Sequence, residues 1–109
     1  YDPGNFVYAG YDALSSYSIL RDYIEYVHIK DSAGIDSVVP AGMGKVQYAE
    51  ILKDLKSRNR HFFLTHEPHL VEFEGLAEFD NNGIKFAGGN PKEMFFLAFN
   101  NFEKIIELI

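Results

Sequence analysis

Residues 26–30 read YVHIK, and residues 61–67 read HFFLTHE. Both stretches combine β-branched and aromatic residues with a polar end, a composition typical of short buried strands. Pro68 ends the second stretch because proline cannot donate a hydrogen bond to a β-ladder. Between the two stretches, apolar residues recur at helical spacing and mark one helix face: Tyr48, Ile51, Leu52 and Leu55. The order strand, helix, strand predicts a βαβ unit with parallel strands.

Helical patterns flank this unit on both sides. Asp12 is the predicted N-cap of a helix within residues 11–25, whose apolar positions are Ala13, Tyr17, Leu20 and Ile24. Residues 90–93, NPKE, combine an N-cap Asn, a Pro at the first helical position and a Glu that can reach back to the cap. The helix that they open is expected to bury Phe95, Ala98, Phe102, Ile105, Ile106 and Ile109.

The remaining segments are predicted to be irregular. Residues 1–5, YDPGN, indicate a turn that follows the end of a strand, and residues 31–45 indicate a long loop with three Gly and one Pro. Residues 70–89 have no regular pattern, and residues 81–83, NNG, are a turn signal. The chain has room for one domain at most, over residues 1–109. Because it opens on Tyr1 within a turn, we expect it to be a fragment.

Composition excludes several classes of function. The net charge of −6 leaves no basic surface for nucleic acid or an anionic membrane. There is no cysteine, so a metal would have to be held by His, Asp, Glu or backbone oxygen. No apolar run approaches the ~18 residues of a membrane span, and we expect no signal peptide. A cytoplasmic location is the default expectation.

Polar residues stand where the strands are predicted to end. Asp2 follows the first strand, His28 lies near the end of the second, and Glu67 ends the third. In βα folds the ligand site lies at the carboxyl ends of the strands, so these three side chains can converge. Two carboxylates and one imidazole suit Mn²⁺, Mg²⁺, Co²⁺ or Zn²⁺. The alternatives are a turn residue for Asp2, a core histidine for His28 and a solvated strand-end charge for Glu67.

A set of motifs in order resembles a known family. The set comprises residues 2–5 (DPGN) with 10–12 (GYD), 27–31 (VHIKD), 42–45 (GMGK) and 65–69 (THEPH). It resembles the closing motifs of the xylose-isomerase-like sugar phosphate isomerases and epimerases, and it spans nearly the whole chain. The resemblance implies an α/β fold: the sixth, seventh and eighth βα units of a TIM (β/α)₈ barrel, with parallel strands inside and helices outside.

The resemblance also implies a chemistry, in carbohydrate metabolism. One divalent ion would be held by two Glu, one Asp and one His; Asp2, His28 and Glu67 match three of these positions, and the other Glu would belong to an earlier strand. The metal would polarise a ketose carbonyl while a carboxylate removes the neighbouring proton, and an enediolate would be reprotonated elsewhere. Glu67 would then be both a ligand and a catalytic acid or base. The substrate would be a sugar or sugar phosphate.

Other polar residues receive weaker expectations. Asn5 stands where some relatives have a His, so it is expected to contact substrate. Lys30 is expected to bind a substrate hydroxyl or phosphate, and Asp31 to contact substrate or to orient His28 or Lys30. Three histidines are expected to be structural or surface residues: His61, His66 and His69. If one of them has a role in the site instead, we expect it to be His69. Gly42 and Gly44 indicate a turn, and secondarily a phosphate cradle.

Three alternatives remain open at this point. An inosose-type dehydratase uses the same scaffold and metal. An endonuclease IV-type DNA repair nuclease expects an Asp-x-His pair in the loop after the His28 strand, and residues 31–39 contain no His. A catalytically inactive fragment is the third alternative. Open strand edges in such a fragment also predict a homo-oligomer.

Overall fold

The computed structural model describes residues 1–70 and 90–109. Its strands are β1 (Tyr26–Ile29), β2 (Asp31–Gly34), β3 (Ser37–Val39) and β4 (Phe63–His66). Its α-helices are α1 (Pro3–Tyr8), α2 (Ala13–Leu20), α3 (Tyr48–Ser57) and α4 (Pro91–Ile106), and a 3₁₀ turn at Arg21–Tyr23 follows α2. In these described ranges, no helix is long and apolar enough to cross a membrane.

The strands β1 and β4 pair in parallel, which confirms the predicted βαβ arrangement. Their register places His28 opposite Thr65, and the amide of Glu67 continues the ladder by donating to the carbonyl of Ile29 at 3.1 Å. Helix α3 connects the two strands along the chain. The molecule is therefore an α/β structure whose strand ends carry His28 and Glu67.

Tyr1 lies along the other edge of β1. Its amino nitrogen donates to the carbonyl of Tyr26 at 2.7 Å, and its carbonyl accepts from the amide of His28 at 2.9 Å. This pair of bonds is the pattern of a parallel ladder. Because β4 bonds to the alternate residues of β1, Tyr1 is on the opposite edge. Asp2 therefore leaves the sheet beside His28.

The two faces of the sheet differ in burial. Val27 and Ile29 are buried against the helices, in a core that includes Ile51, Leu52 and Leu55 of α3. Their neighbours on β1 point to the other face, where Tyr26 is 41% exposed; on β4, Phe63 is 74% exposed. Successive residues of β1 therefore point to opposite faces of the sheet, as in any strand. His28 shares the open face with Tyr26.

Two segments predicted to be irregular contain regular structure. Residues 1–5 open α1, because Asp2 caps a helix that has Pro3 at its first position. Residues 31–45 contain the antiparallel hairpin β2–β3, closed by Asp36 at a φ of 53°. Asp tolerates this left-handed conformation better than most residues. The predicted helix after Asp12 is confirmed as α2, whose first turn Asp12 caps through the amide of Ser15.

The final helix forms where its capping motif predicts. Asn90 and Glu93 make the reciprocal bonds of a capping box. Its predicted burial is partly wrong: Ala98 is buried, but Phe95 and Ile106 are each 43% exposed. The helix contacts the main core through two partly buried residues near its C-terminus, Phe102 and Ile105, and Ile109 packs there just beyond the helix. The predicted irregular stretch lies almost wholly, and the turn at 81–83 wholly, outside the described residues.

Candidate metal centre

Asp2 is placed by the start of α1. Its Oδ1 atom accepts a hydrogen bond from the amide of Asn5 at 3.0 Å, which satisfies one of the free N–H groups at the helix start. Its Oδ2 atom lies 3.9 Å from Nδ1 of His28. The carboxylate therefore combines two roles, since one oxygen caps the helix and the other faces the ends of the strands.

His28 projects from the open face of the sheet. The Tyr26 ring packs edge-on against the His28 imidazole, with the ring centroids 4.9 Å apart. The hydroxyl of Tyr26 in turn accepts a hydrogen bond from Thr65 of β4 at 2.8 Å. The imidazole is thus held by the two neighbouring strands, and its Nδ1 atom faces both acidic residues.

Glu67 follows β4 directly and lies between two histidines. Its Oε2 atom is 2.5 Å from Nδ1 of His28, and its Oε1 atom is 3.0 Å from Nε2 of His69. The side chain is 39% exposed, so it borders a cleft rather than the core. Each carboxylate oxygen of Glu67 therefore contacts one imidazole nitrogen, which fixes the orientation of the side chain.

The three predicted ligands converge. One potential ligand atom from each of Asp2, His28 and Glu67 lies within 4.8 Å of the others. Donor distances of ~2.0–2.6 Å allow donors around one ion to be up to roughly 4–5 Å apart, so this spacing fits a divalent cation. The predicted clustering at the strand ends is confirmed. That these side chains bind a metal stays a prediction.

The environment separates the two carboxylates. Burial raises the pKa of Asp2, and it outweighs the Asn5 amide and the positive charge of Lys30, which act to lower it. The pKa of Glu67 is lowered: burial acts to raise it, but the hydrogen bond from His69 and the nearby charges of His69, His28 and Lys30 act more strongly. Glu67 is therefore ionised at neutral pH, as a metal ligand or a general base must be.

Asn5 and Lys30 line the same cleft, which has a volume of about 340 Å³. The ammonium of Lys30 donates to Oδ1 of Asn5 at 2.9 Å and lies 5.8 Å from the centre of the Tyr8 ring. These contacts hold a positive charge beside the acidic residues. The structure thus brings two of the three predicted substrate-binding residues to the candidate centre. The cleft is lined by Tyr1, Asp2, Asn5, His28, Lys30, Glu67 and His69.

Asp31 is not in the cleft. Its side chain is fully buried, and its oxygens accept four backbone N–H bonds at 2.7–3.1 Å, from Ser32, Gly42, Gly44 and Val46. A substrate contact does not fit this geometry, and the bonds that Asp31 makes tie the loop together rather than orient His28 or Lys30. The Gly42 and Gly44 amides that would have formed a phosphate cradle are used by Asp31.

His69 is the site residue that the sequence pattern identified least well. It comes two residues after Glu67, and the sequence marked it only as the first exception among three histidines expected to be structural or surface residues. His66 points to the helix side of β4, where its ring packs against Phe95, Phe99 and Phe102 of α4. His61 is exposed before β4. The contact of His69 with Glu67 places it at the candidate centre.

Comparison with known proteins gives no further assignment: no family model, no curated protein and no solved structure matches this chain. The chemistry of the site therefore has to be argued from its own residues.

Proposed function

We propose that residues 1–109 are the last three βα units of a TIM barrel of the xylose-isomerase-like type, in a metal-dependent isomerase or epimerase of sugars or sugar phosphates. The observation that carries this proposal is the convergence of Asp2, His28 and Glu67, with ligand atoms within 4.8 Å. The parallel pairing of β1 and β4, with helices packed on one face of the sheet within residues 1–70 and 90–109, is compatible with part of a barrel.

The donor set favours an oxygen- and nitrogen-binding divalent ion: Mn²⁺, Mg²⁺, Co²⁺ or Zn²⁺. When bound, such an ion supplies a Lewis acid beside the substrate carbonyl. Asp2 would bind it through Oδ2, His28 through Nδ1 and Glu67 through Oε2, since these atoms face one another. By the resemblance, a Glu on an earlier strand would be the fourth ligand.

Glu67 is the proposed general base. Its lowered pKa keeps it ionised at neutral pH, and its Oε1 atom is turned away from His28. A carboxylate oxygen has two lone pairs, so Oε1 can accept the His69 hydrogen bond and a proton from the carbon next to the carbonyl. Return of that proton to a second carbon would complete isomerisation. Epimerisation would need a second acid on the opposite face, a role that the resemblance gives to the Glu on an earlier strand.

Lys30 and Asn5 are the proposed substrate contacts. Their mutual hydrogen bond presents an ammonium and an amide on the same side of the cleft. An ammonium can bind a hydroxyl or a phosphate oxygen, and the amide of Asn5 can donate to a hydroxyl. We propose a small sugar as the partner, with no role for nucleic acid or a membrane, and a cytoplasmic setting.

The test is metal-dependent turnover by the full-length protein on a panel of ketoses and their phosphates. We expect activity that chelator removes and Mn²⁺ restores. Glu67→Gln should abolish turnover and keep the fold, since an amide can neither take up the proton nor replace the charged ligand. Glu50→Gln is the matched control, because Glu50 is exposed on α3 away from the cleft.

Two outcomes would contradict the proposal. Full activity in excess chelator would exclude a catalytic metal, and an active Glu67→Gln protein would exclude Glu67 as the base. A product that is lighter than the substrate by one water would indicate the dehydratase on the same scaffold instead. For the 109-residue chain alone we expect weak or absent metal binding and no turnover, and calorimetry with Mn²⁺ measures the first of these.

A further inference from the structure

The backbone of His69 adopts a conformation that is uncommon for a residue with a side chain. Its φ is 48°, in the left-handed region, where Cβ approaches the following carbonyl oxygen. Among the described residues, two others without a glycine's freedom share this region, Asp36 and Asn59. Such outliers persist where surrounding structure holds them, and they are frequent at functional sites. The conformation of His69 therefore needs a reason.

The reason is the direction of the His69 ring. The chain leaves β4 at Glu67, passes Pro68 and turns at His69, so that Nε2 of His69 comes to 3.0 Å from Oε1 of Glu67. An ionised carboxylate only accepts hydrogen bonds, so Nε2 carries the proton and donates. The left-handed turn thus directs the ring back onto the residue that ends the strand.

This bond divides the two oxygens of Glu67. Oε1 is held by His69, and Oε2 is left facing Nδ1 of His28 and the carboxylate of Asp2. Bidentate coordination of an ion by both oxygens of Glu67 would require the hydrogen bond between His69 and Oε1 to break. Hydrogen bonds behind a ligand commonly fix its orientation and raise its affinity for the metal.

We propose that His69 is a positioning residue, which restricts Glu67 to binding through Oε2 alone and holds Oε1 toward the cleft. The proposal rests on the metal-dependent function described above. His69 would then contribute to the site without being a metal ligand. This role would also explain why its backbone keeps a left-handed conformation.

The test compares two replacements at the same position. His69→Gln retains an N–H donor with a reach similar to Nε2, whereas His69→Leu fills similar space with no donor. Both variants place a side chain on a residue with a positive φ, so the free-energy cost of this backbone conformation is the same in the two. By electron paramagnetic resonance titration of the full-length protein with Mn²⁺, we expect His69→Leu to lose about 10–100-fold in affinity and His69→Gln to stay near wild type.

A third variant separates positioning from structural support. Glycine adopts a positive φ freely, so His69→Gly should lose Mn²⁺ affinity like His69→Leu while its unfolding midpoint in chelator is not lowered. If His69→Leu binds Mn²⁺ as tightly as wild type, or if His69→Gly loses stability as well as affinity, the positioning role is overturned and the metal centre stands. If the wild-type protein itself binds no Mn²⁺, the proposed function fails and this inference fails with it.

Discussion

Nδ1 of His28 lies 2.5 Å from Oε2 of Glu67, although the two residues stand on different strands. The parallel register explains this approach. His28 is opposite Thr65, and Glu67 comes one side-chain period later, so it returns to the same face. A slip of one residue between β1 and β4 would turn Glu67 toward the helices. The candidate centre therefore depends on the pairing of these two strands.

The double role of Asp2 predicts that its two functions can be separated. Asn caps helices as well as Asp, so Asp2→Asn should leave the free energy of unfolding nearly unchanged. It should nevertheless weaken Mn²⁺ binding by the full-length protein by more than the about 10–100-fold that follows loss of a partner behind a ligand. Asp2→Ala should lose the cap too, with a further destabilisation of ~1 kcal/mol. Calorimetric titration and urea unfolding measure the two effects.

Asp12 provides the matched control for this prediction. It caps α2 through the Ser15 amide at 2.8 Å, as Asp2 caps α1, and it is not among the residues that line the cleft. Asp12→Ala should cost about the same ~1 kcal/mol with no loss of Mn²⁺ affinity. Equal losses of affinity in Asp12→Ala and Asp2→Ala would mean that Asp2 is not a ligand.

Asp31 should be essential for stability rather than for turnover. Its Oδ1 accepts from Ser32 and Val46 and its Oδ2 from Gly42 and Gly44. Asp31→Asn would replace one oxygen with an NH₂ group that faces two backbone donors. We expect a loss of about 2–4 kcal/mol in the free energy of unfolding, since unsatisfied buried groups cost about 1–3 kcal/mol each. Urea unfolding measures the loss.

The same chemical change at Asp36 is the control for Asp31. Asp36 lies in the turn of the same hairpin at a φ of 53°, a conformation that Asn also tolerates. Asp36→Asn should therefore be close to neutral. A neutral Asp31→Asn variant would show that the four N–H groups find other partners, and the structural role assigned to Asp31 would be wrong.

The sequence predicted correctly those site residues whose positions are determined by the ends of parallel strands. Polar residues at the ends of successive βα units were sufficient to place Asp2, His28 and Glu67 together, because parallel strands end at one edge. Asn5 and Lys30 also reach the cleft. The predicted substrate contact of Asp31 was wrong. Its position next to Lys30 in the sequence does not show that its side chain is buried, and its carboxylate binds backbone amides of the loop instead.

Other features depended on contacts that no local pattern shows. The hairpin β2–β3 is accompanied by hydrogen bonds to Asp31 from amides that lie more than ten residues further along the chain. Because a local pattern does not show such contacts, this segment was predicted to be irregular. The exposure of Phe95 and Ile106 follows from where α4 crosses the core, which its helical period does not determine. Likewise, a positive φ at His69 is a property of the folded turn after Pro68.

His66 should make stability sensitive to acid. In the part of the chain that the structure describes, neither ring nitrogen has a hydrogen-bond partner, and burial lowers the pKa of His66 below its ordinary value. The unfolded chain then binds the proton more readily, so stability is complete above about pH 6.5 and declines as the pH falls toward the folded-state pKa. His66→Leu should remove this decline and gain about 1 kcal/mol at neutral pH.

Thermal and urea unfolding from pH 8 to pH 5, in chelator, checks this prediction. His61→Leu is the control, since His61 is exposed. It should retain the acid sensitivity of the wild type. Parallel pH profiles for wild type and His66→Leu would show that the His66 ring is not the source of the decline.

The 109-residue chain should self-associate through the open face of its sheet. Phe63 is 74% exposed there and Tyr26 41%, and within residues 1–70 and 90–109 the outer edge of β4 pairs with no strand. Unpaired edges and apolar faces are relieved by pairing with a second copy. Each ~100 Å² of apolar surface covered contributes about 2.5 kcal/mol, whereas association costs roughly 4–15 kcal/mol, so several hundred Å² must be covered.

Sedimentation from micromolar to millimolar concentration tests this association and its location. Phe63→Asp places a charge on the open face and should shift the chain toward monomer. Ile19→Asp makes a comparable change on α2, at a residue that is 77% exposed, and should leave the assembly intact. If both variants sediment like a wild-type monomer, the chain does not associate. If Ile19→Asp alone dissociates it, the contact is built on the outer helices, and the open sheet face is not what drives pairing.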